Sequence, residues 1–317
     1  MQLQFLGTGA GMPSKGRNVT SIALNLLNEN GEIWLFDCGE ATQHQILHTA
    51  IKPRKITKIF ITHLHGDHIF GLPGFLSSRS FLGGEALLTI YGPKGVQEFV
   101  QTALKLSKTH LTYPLAFVEI AEGLLFEDTQ FSVTVKRLAH VIDSYGFRIE
   151  QKPLPGTLLV EKARALGVPK GPLLRDLKNG QDVTLADGTV VLSADVVTEQ
   201  KKGFIVTILG DTKLCDASVE LSKNASVVVH EATFDSTTED LAASYGHATN
   251  TEAAFVAKQA AAKHLILTHI SARFVGDEVN KLLEEAQTVF PATFIAEDFT
   301  TFEWRAPHLC KLEATTE

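Results

Sequence analysis

Within six positions the chain carries four side chains that bind metals well, His63-Leu64-His65-Gly66-Asp67-His68. Ile59-Phe60-Ile61-Thr62 precedes them, and its β-branched and aromatic residues predict a buried strand that ends where the ligands begin. Imidazole together with carboxylate suits zinc and its neighbours among the divalent metals. Side chains two apart on an extended segment point the same way, so His63 and His65 can grip one ion. Asp67 and His68 follow around the turn, where they can face a second.

Such a loop is half a site, and three distant residues can complete it. His140 follows Val133–Ala139, Asp211 follows Phe204–Leu209, and His269 follows Leu265–Thr268. Each candidate stands just past the C-terminal end of an apolar, strand-like run, the edge on which α/β proteins build their sites. Five histidines and two aspartates then suffice for two ions. His63, His65 and His140 would hold the first, Asp67, His68 and His269 the second, and Asp211 would bridge them. Asp37, at the end of another strand, is placed to orient a ligand histidine or to cap its turn.

The elements that must position these residues are legible along the chain. Gln2–Leu6 reads as a strand, followed by the glycine loop Gly7-Thr8-Gly9-Ala10-Gly11. No Gly-Lys-Ser/Thr follows that loop, which argues against a nucleotide-triphosphate site. Ser21–Leu27 and Glu32–Phe36 form a hairpin, Ala41–Thr49 a helix, and a further helix opens after the ligand loop at Phe70–Gly74. Strands are expected at 87–91, 115–120, 131–138 and 145–150, with an amphipathic helix at 96–106. Residues 151–180 break the pattern with eight Gly or Pro residues around a short helical stretch, 158–166. There six Lys or Arg meet two acids, a local +4 in a chain of net charge −7. A punctuated insertion of that length reads as a functional projection. Asp187-Gly188 then marks a hairpin turn within 182–197. Another strand begins at Ser226, a helix capped by Thr249 or Asn250 runs to Lys263, and a second runs from Asp277 to Phe290. Phe294–Trp304 is expected as one last strand.

These elements predict an α/β fold of two sheets packed face to face between helices. Residues 1–317 would form one domain, with a protruding excursion at 151–180. Three cysteines, odd in number and far apart, argue for reduced thiols and a cytoplasmic setting rather than a disulfide frame. The N-terminus opens directly on a strand, without the basic and apolar regions of a signal peptide. The longest apolar runs are strand-sized, so no membrane span is expected.

The ligand series resembles that of the metallo-β-lactamase superfamily over the full length, which implies the four-layer αββα sandwich. That superfamily hydrolyses many ester types, so the fold alone names no substrate. Narrower motifs do. Pro13-Ser14-Lys15-Gly16-Arg17-Asn18, His230-Glu231-Ala232-Thr233 and Gly246-His247-Ala248-Thr249 are similar to signatures of the short-form ribonuclease Z family, the third with alanine in place of serine. The insertion at 151–180 resembles that family's flexible tRNA-binding arm. The resemblance implies a two-zinc endoribonuclease, a homodimer, that removes the 3′ trailer from precursor tRNA and leaves a 3′-OH on the tRNA and a 5′-phosphate on the trailer. Asp67 would accept the proton of the attacking water, and His247, paired with Glu231, would supply one to the departing oxygen. Lys15, Arg17, Asn18 and Arg273 would bind phosphate near the cut, and Lys162, Arg164 and Lys170 would do so on the arm.

Two other classes compete. A hydrolase of a small ester or lactam would have little use for the basic insertion or the Lys15–Asn18 loop. An RNA-binding protein with a vestigial metal site would be expected to have lost ligands, and none is missing here. A DNA or messenger-RNA nuclease of the superfamily would need a large extra domain, for which 30 residues leave no room.

Overall fold

A computed structural model describes residues 1–312. Its first sheet has eight strands in the spatial order His308–Leu312, Thr301–Arg305, Gln2–Gly7, Ser21–Leu26, Glu32–Phe36, Ile56–Phe60, Leu88–Gly92 and Leu115–Glu119. The second has seven, ordered Thr293–Ile295, Leu265–Thr268, Val227–Glu231, Ile205–Leu209, Tyr145–Gln151, Phe131–Arg137 and Gly123–Glu127.

Side-chain alternation explains why the two sheets become inner layers. In Glu32–Phe36, Ile33 and Leu35 face one way and pack with Ile46, Leu72, Phe75, Leu76 and Val100 from helices. Trp34 and Phe36 face the other way, toward the opposite sheet. There the Phe60 ring stacks on Phe36 and Tyr91 at 4.8 and 4.9 Å and meets Phe147 of the second sheet at 5.3 Å. On the outer face of the second sheet, Val228, Leu265 and Leu267 pack against Ala253, Ala254, Ala257, Leu282 and Ala286. The small alanines let the helix Asn250–Gln259 lie close to the strands. Thr249 caps that helix in a reciprocal box with Glu252. The result is the expected αββα sandwich.

Parallel pairing then gathers the functional strand ends. Glu32–Phe36, Ile56–Phe60 and Leu88–Gly92 run parallel in one sheet, and Ile205–Leu209, Val227–Glu231 and Leu265–Thr268 in the other. A hydrogen bond from Tyr145 N to Thr62 O (3.0 Å) ties the two sheets together at the edge where both sets end.

Four features depart from the expectation. Phe294–Trp304 is not one strand but two, Thr293–Ile295 and Thr301–Arg305, in different sheets. Between them Phe299 adopts a left-handed backbone (φ 67°) and bonds to Phe5 O, a turn that its apolar side chain concealed. Gly123–Glu127, His308–Leu312 and the helix Glu239–Tyr245 were too short to show a period.

Residues Thr129–Phe131 and Glu150–Phe204 make a second compact unit, longer than 151–180. It has a core of its own: Ala163, Val168, Leu177, Val183, Val191 and Val196. Helices Val160–Ala165 and Pro172–Lys178 and the hairpin Val183–Thr184/Val190–Val191 supply it. The hairpin turn is closed by Asp187 Oδ1, which accepts from Thr189 N (2.9 Å), with Gly188 at φ 87°.

Candidate metal centre

The structure brings the seven predicted ligand residues to one edge of the sandwich. His63, His65, His140 and Asp211 form one cluster, and Asp67, His68 and His269 another, each with its ligand atoms within 4.8 Å of one another. His65 Nδ1 lies 3.1 Å from His63 Nε2 and 3.2 Å from His140 Nε2. Asp67 Oδ2 lies 3.3 Å from His269 Nε2 and 3.5 Å from His68 Nε2. Asp211 Oδ2 reaches both groups, at 3.6 Å from His63 Nε2, 3.5 Å from His68 Nε2 and 3.3 Å from His269 Nε2.

These separations bear on whether a metal fits. Ligands bound to a tetrahedral zinc at about 2.0–2.1 Å sit roughly 3.3 Å apart, close to the spacing seen. His68 Nε2 is buried and has no hydrogen-bond partner, as a nitrogen reserved for a cation would be. Nitrogen and oxygen donors without sulfur complete a set that suits zinc.

The remaining nitrogen of four of the histidines is tied down. His68 Nδ1 donates to Asp37 Oδ2 at 2.7 Å. His63 Nδ1 donates to Thr62 Oγ1 (2.9 Å), which in turn donates to the same Asp37 oxygen (2.8 Å). His269 Nδ1 donates to Thr233 Oγ1 (2.8 Å), whose own hydrogen goes to Glu231 Oε2. His140 Nδ1 donates to Gly246 O at 2.7 Å. Each bond fixes a tautomer and leaves Nε2 facing the cluster. Gly246 is needed there twice over. Its φ is +74°, and a Cβ would come within 3.0 Å of His140 Nδ1. Asp37 and His269 hold left-handed backbones (φ 56° and 55°), a strained turn of each strand end toward the site. Asp37 thus contacts a ligand histidine. Thr62 had no signal of its own in the sequence, since threonine is an ordinary β-former, and Thr233 stood in the His230–Thr233 motif without its hydroxyl's task being shown.

Electrostatics follow from this packing. Burial opposes ionisation of Asp67, but the adjacent His269 and His68 imidazoles outweigh it and hold the carboxyl well below its usual range. Burial drives His63 toward its neutral, ligand form, reinforced by His68. His247 stands just outside the ligands. Its Nδ1 is 2.9 Å from Glu231 Oε1 and 3.9 Å from Asp211 Oδ2. Although Asp211, His247 and His269 also fall within ligand reach of one another, His247 Nδ1 is committed to Glu231. Burial disfavours its charge, yet Glu231 overcomes this and raises the imidazole to about 9. Glu231 is itself fixed by Thr212 N, which donates to Oε1 at 2.8 Å.

The predicted phosphate contacts divide. Lys15 is exposed. Arg17 turns inward, its Nη1 donating to Thr8 Oγ1 (2.7 Å) and Ala296 O (2.6 Å). Asn18 is likewise engaged, with N on Asp298 Oδ2 and Nδ2 on Glu40 O. Both therefore brace the loop rather than present their side chains to solvent. That loop in turn aims Gly11 N at Asp67 Oδ2 (2.8 Å), which gives the glycine stretch a purpose without a nucleotide. Arg273 is exposed, and its guanidinium carbon lies over the Phe234 and Phe274 rings, 4.3 and 4.8 Å from their centres. Lys162 and Lys170 are exposed on the second unit, and Arg164 there pairs with Glu161 at 2.8 Å. Ala248 is fully buried, so nothing of it reaches a substrate.

A cleft of about 270 Å³ opens on the cluster, lined by Gly11, His65, Asp67, Phe234, Tyr245 and His247 among others. A hollow of about 450 Å³ along the helix Val96–Leu106 is larger but offers one carboxylate, Glu98, and no histidine. Donor chemistry rather than volume locates the site.

Known proteins agree with this geometry. A family model described as anti-Pycsar protein Apyc1 matches residues 1–157, the half that carries the His63–His68 loop. A ribonuclease Z of Anoxybacillus flavithermus is 59% identical over 302 residues, covering 95% of this chain and 97% of that one. The chain belongs to the ribonuclease Z family. A ribonuclease Z of Geobacillus kaustophilus is 58% identical over 95% of this chain and 98% of its own. The crystal structure of the short form of human tRNase Z superposes with a TM-score of 0.70 at 32% identity, covering 96% of this chain and 99% of that chain. A metallo-β-lactamase fold protein from Bacillus subtilis, 22% identical over 95% of this chain and 98% of its own, shares the fold with a TM-score of 0.65.

The hydroxyl bridges to the ligand histidines yield a first test in this ribonuclease Z family member. Thr62→Val and Thr233→Val keep the side-chain shape but remove the acceptor on which His63 or His269 is held. Each should weaken zinc binding roughly 10- to 100-fold. Competition with a chromogenic chelator measures it, and unchanged affinity would show that the tautomers are set elsewhere.

Proposed function

We propose that this chain is a two-zinc endoribonuclease that cuts precursor tRNA at the start of its 3′ trailer. One observation carries the reading: seven candidate ligand residues converge beside a hydrogen-bonded His247–Glu231 pair, in a chain 59% identical to a ribonuclease Z. His63, His65 and His140 would hold one ion, Asp67, His68 and His269 the other, and Asp211 both. Zinc there supplies a lowered pKa for water and positive charge for a phosphate oxygen.

The protein's own groups do the rest. Asp67, kept ionised, accepts the proton of the water that attacks phosphorus. As the new P–O bond forms, the bond to the upstream 3′ oxygen breaks, and His247 gives that oxygen its proton. Glu231 keeps the imidazolium in place and stabilises it. No step uses a 2′-hydroxyl, so the tRNA ends in 3′-OH and the trailer begins with 5′-phosphate. Arg273 and Lys15, both exposed, would serve as phosphate contacts. Among the described residues no helix is long and apolar enough to cross a membrane. Cytoplasmic placement and a homodimer belong to the same reading, the second by family likeness.

Incubation of a 3′-extended precursor tRNA with protein and zinc, followed by mapping of both new ends, tests it. A cyclic or 3′-phosphate end, or no cut, would overturn it. Elemental analysis should also give two zinc ions per chain. One ion in fully active protein would remove the dinuclear mechanism.

A further inference from the structure

The cleft beside the metal ligands has an aromatic wall that the reaction just described leaves unused. The Phe234 and Tyr245 rings lie nearly parallel, 15° apart with centres 6.3 Å distant. The His247 ring follows on at 6.1 Å from Phe234. Phe234 is almost fully buried and covered by the Arg273 guanidinium, so it is a fixed backing. Tyr245, by contrast, is 58% exposed, although it lines the cleft.

Its position is not loose. Tyr245 ends the helix Glu239–Tyr245, and the next residue, Gly246, gives its carbonyl to the ligand His140. His247 N bonds back to Ala242 O of the same helix. The ring, the proton donor and a metal ligand are therefore set by one short stretch of backbone. A flat apolar face held rigidly at the mouth of a phosphodiester site is built to meet another flat face.

We infer that Tyr245, backed by Phe234, stacks on the base of the nucleotide whose 3′ oxygen departs, the last nucleotide of the finished tRNA. The inference rests on the function proposed above and adds a direction to the bound strand. His247 must touch the leaving 3′ oxygen, and the base on the same sugar is the one within reach of the rings beside His247. The first trailer base lies across the phosphate. For it the molecule offers an adjoining groove of about 450 Å³, which shares Gly11, His65 and Asp67 with the cleft and is otherwise lined by Met12, Pro13, Glu40 and Phe70 among others. Stacking accepts any base, since each has a π face, so the contact positions the strand without selecting sequence.

The test compares wild type, Tyr245→Ala and Tyr245→Phe on three precursor tRNAs: intact, abasic at the last tRNA nucleotide, and abasic at the first trailer nucleotide. On the intact precursor, Tyr245→Ala should lower kcat/KM about 5- to 150-fold, the range for one stacked base. Tyr245→Phe should stay near wild type, and both variants should keep full zinc content. On the precursor abasic at the last tRNA nucleotide, wild type and Tyr245→Ala should become equal. On the trailer-abasic precursor the full difference should persist. A Tyr245→Ala loss that survives removal of the upstream base, or vanishes only with the trailer base, overturns the inference. Wild type that cleaves no intact precursor would instead bring down the functional reading itself.

Discussion

Asp67→Ala should abolish cleavage of a 3′-extended precursor tRNA, whereas His247→Ala should retain metal and substrate and slow the chemical step about 10²- to 10⁴-fold. The two differ because the side chains stand in different relations to the cluster. Asp67 Oδ2 lies within 3.5 Å of two ligand nitrogens and also receives the Gly11 N–H. Alanine there removes a ligand and a proton acceptor together, so the loss should exceed roughly 10⁴-fold. His247 approaches Asp211 no closer than 3.9 Å, while its stronger bond is to Glu231. Its removal should leave zinc content unchanged, and a normal single-turnover rate in His247→Ala would refute the leaving-group role. The sign of the pH effect adds a check. Glu231 raises His247 to about 9, so the acid form persists through neutral pH and is lost as pH rises. Bound cations push the other way. Glu231→Gln should move the alkaline fall in kcat/KM to lower pH relative to wild type.

Ligands were readable in the sequence because each follows a strand of strong β-formers, and strand ends at one sheet edge are where parallel topology brings distant residues together. Asp211 and His269 needed only that rule, whereas His140 follows Phe131–Arg137, an antiparallel strand that ends at the same cluster. Of what orients the ligands, only Asp37 was readable, as the strand-end carboxylate that now holds His68. Thr62 and Thr233 act through single hydroxyls whose partners are set by backbone turns, notably the left-handed Asp37 and His269. The Arg17 side chain shows the opposite failure. A cation beside a glycine loop reads as a phosphate contact, yet the fold closes Thr8 and the Ala296 carbonyl around it. Charge in a sequence carries no direction, and here the direction is inward. Segment boundaries were lost for a related reason. In 182–197 the turn Asp187-Gly188 was plain, but nothing local showed that Val183, Val191 and Val196 pack with Ala163 and Leu177.

That shared core changes how the tRNA-binding role proposed for the second unit must be tested. Excising 152–179 alone would strand Val183, Val191 and Val196 without their partners, so the cut belongs at the unit's own ends. Gln151 N bonds to Phe204 O at 2.9 Å, which places the two ends close enough for a short Gly/Ser link in place of 153–202. Across Glu150–Phe204 eight cations nearly balance seven acids. The basic ones concentrate before residue 180, and Asp182, Asp187, Asp195 and Glu199 come after. Precursor tRNA is long, and its elbow lies far from the 3′ end being cut. Contacts made by Lys162, Lys170 and Arg175 would be to phosphate, independent of base sequence and steeply salt-dependent. Removing the unit should weaken precursor binding by about 10²-fold or more at moderate salt and flatten its salt dependence. Hydrolysis of a small chromogenic phosphodiester should survive, because every ligand histidine lies outside the unit. A triple variant, Lys162→Glu with Lys170→Glu and Arg175→Glu, keeps the core intact and should reproduce most of the affinity loss. Equal losses on tRNA and on the small diester would make the unit a structural support, and unchanged tRNA affinity in the triple variant would deny it the role of an RNA-binding arm.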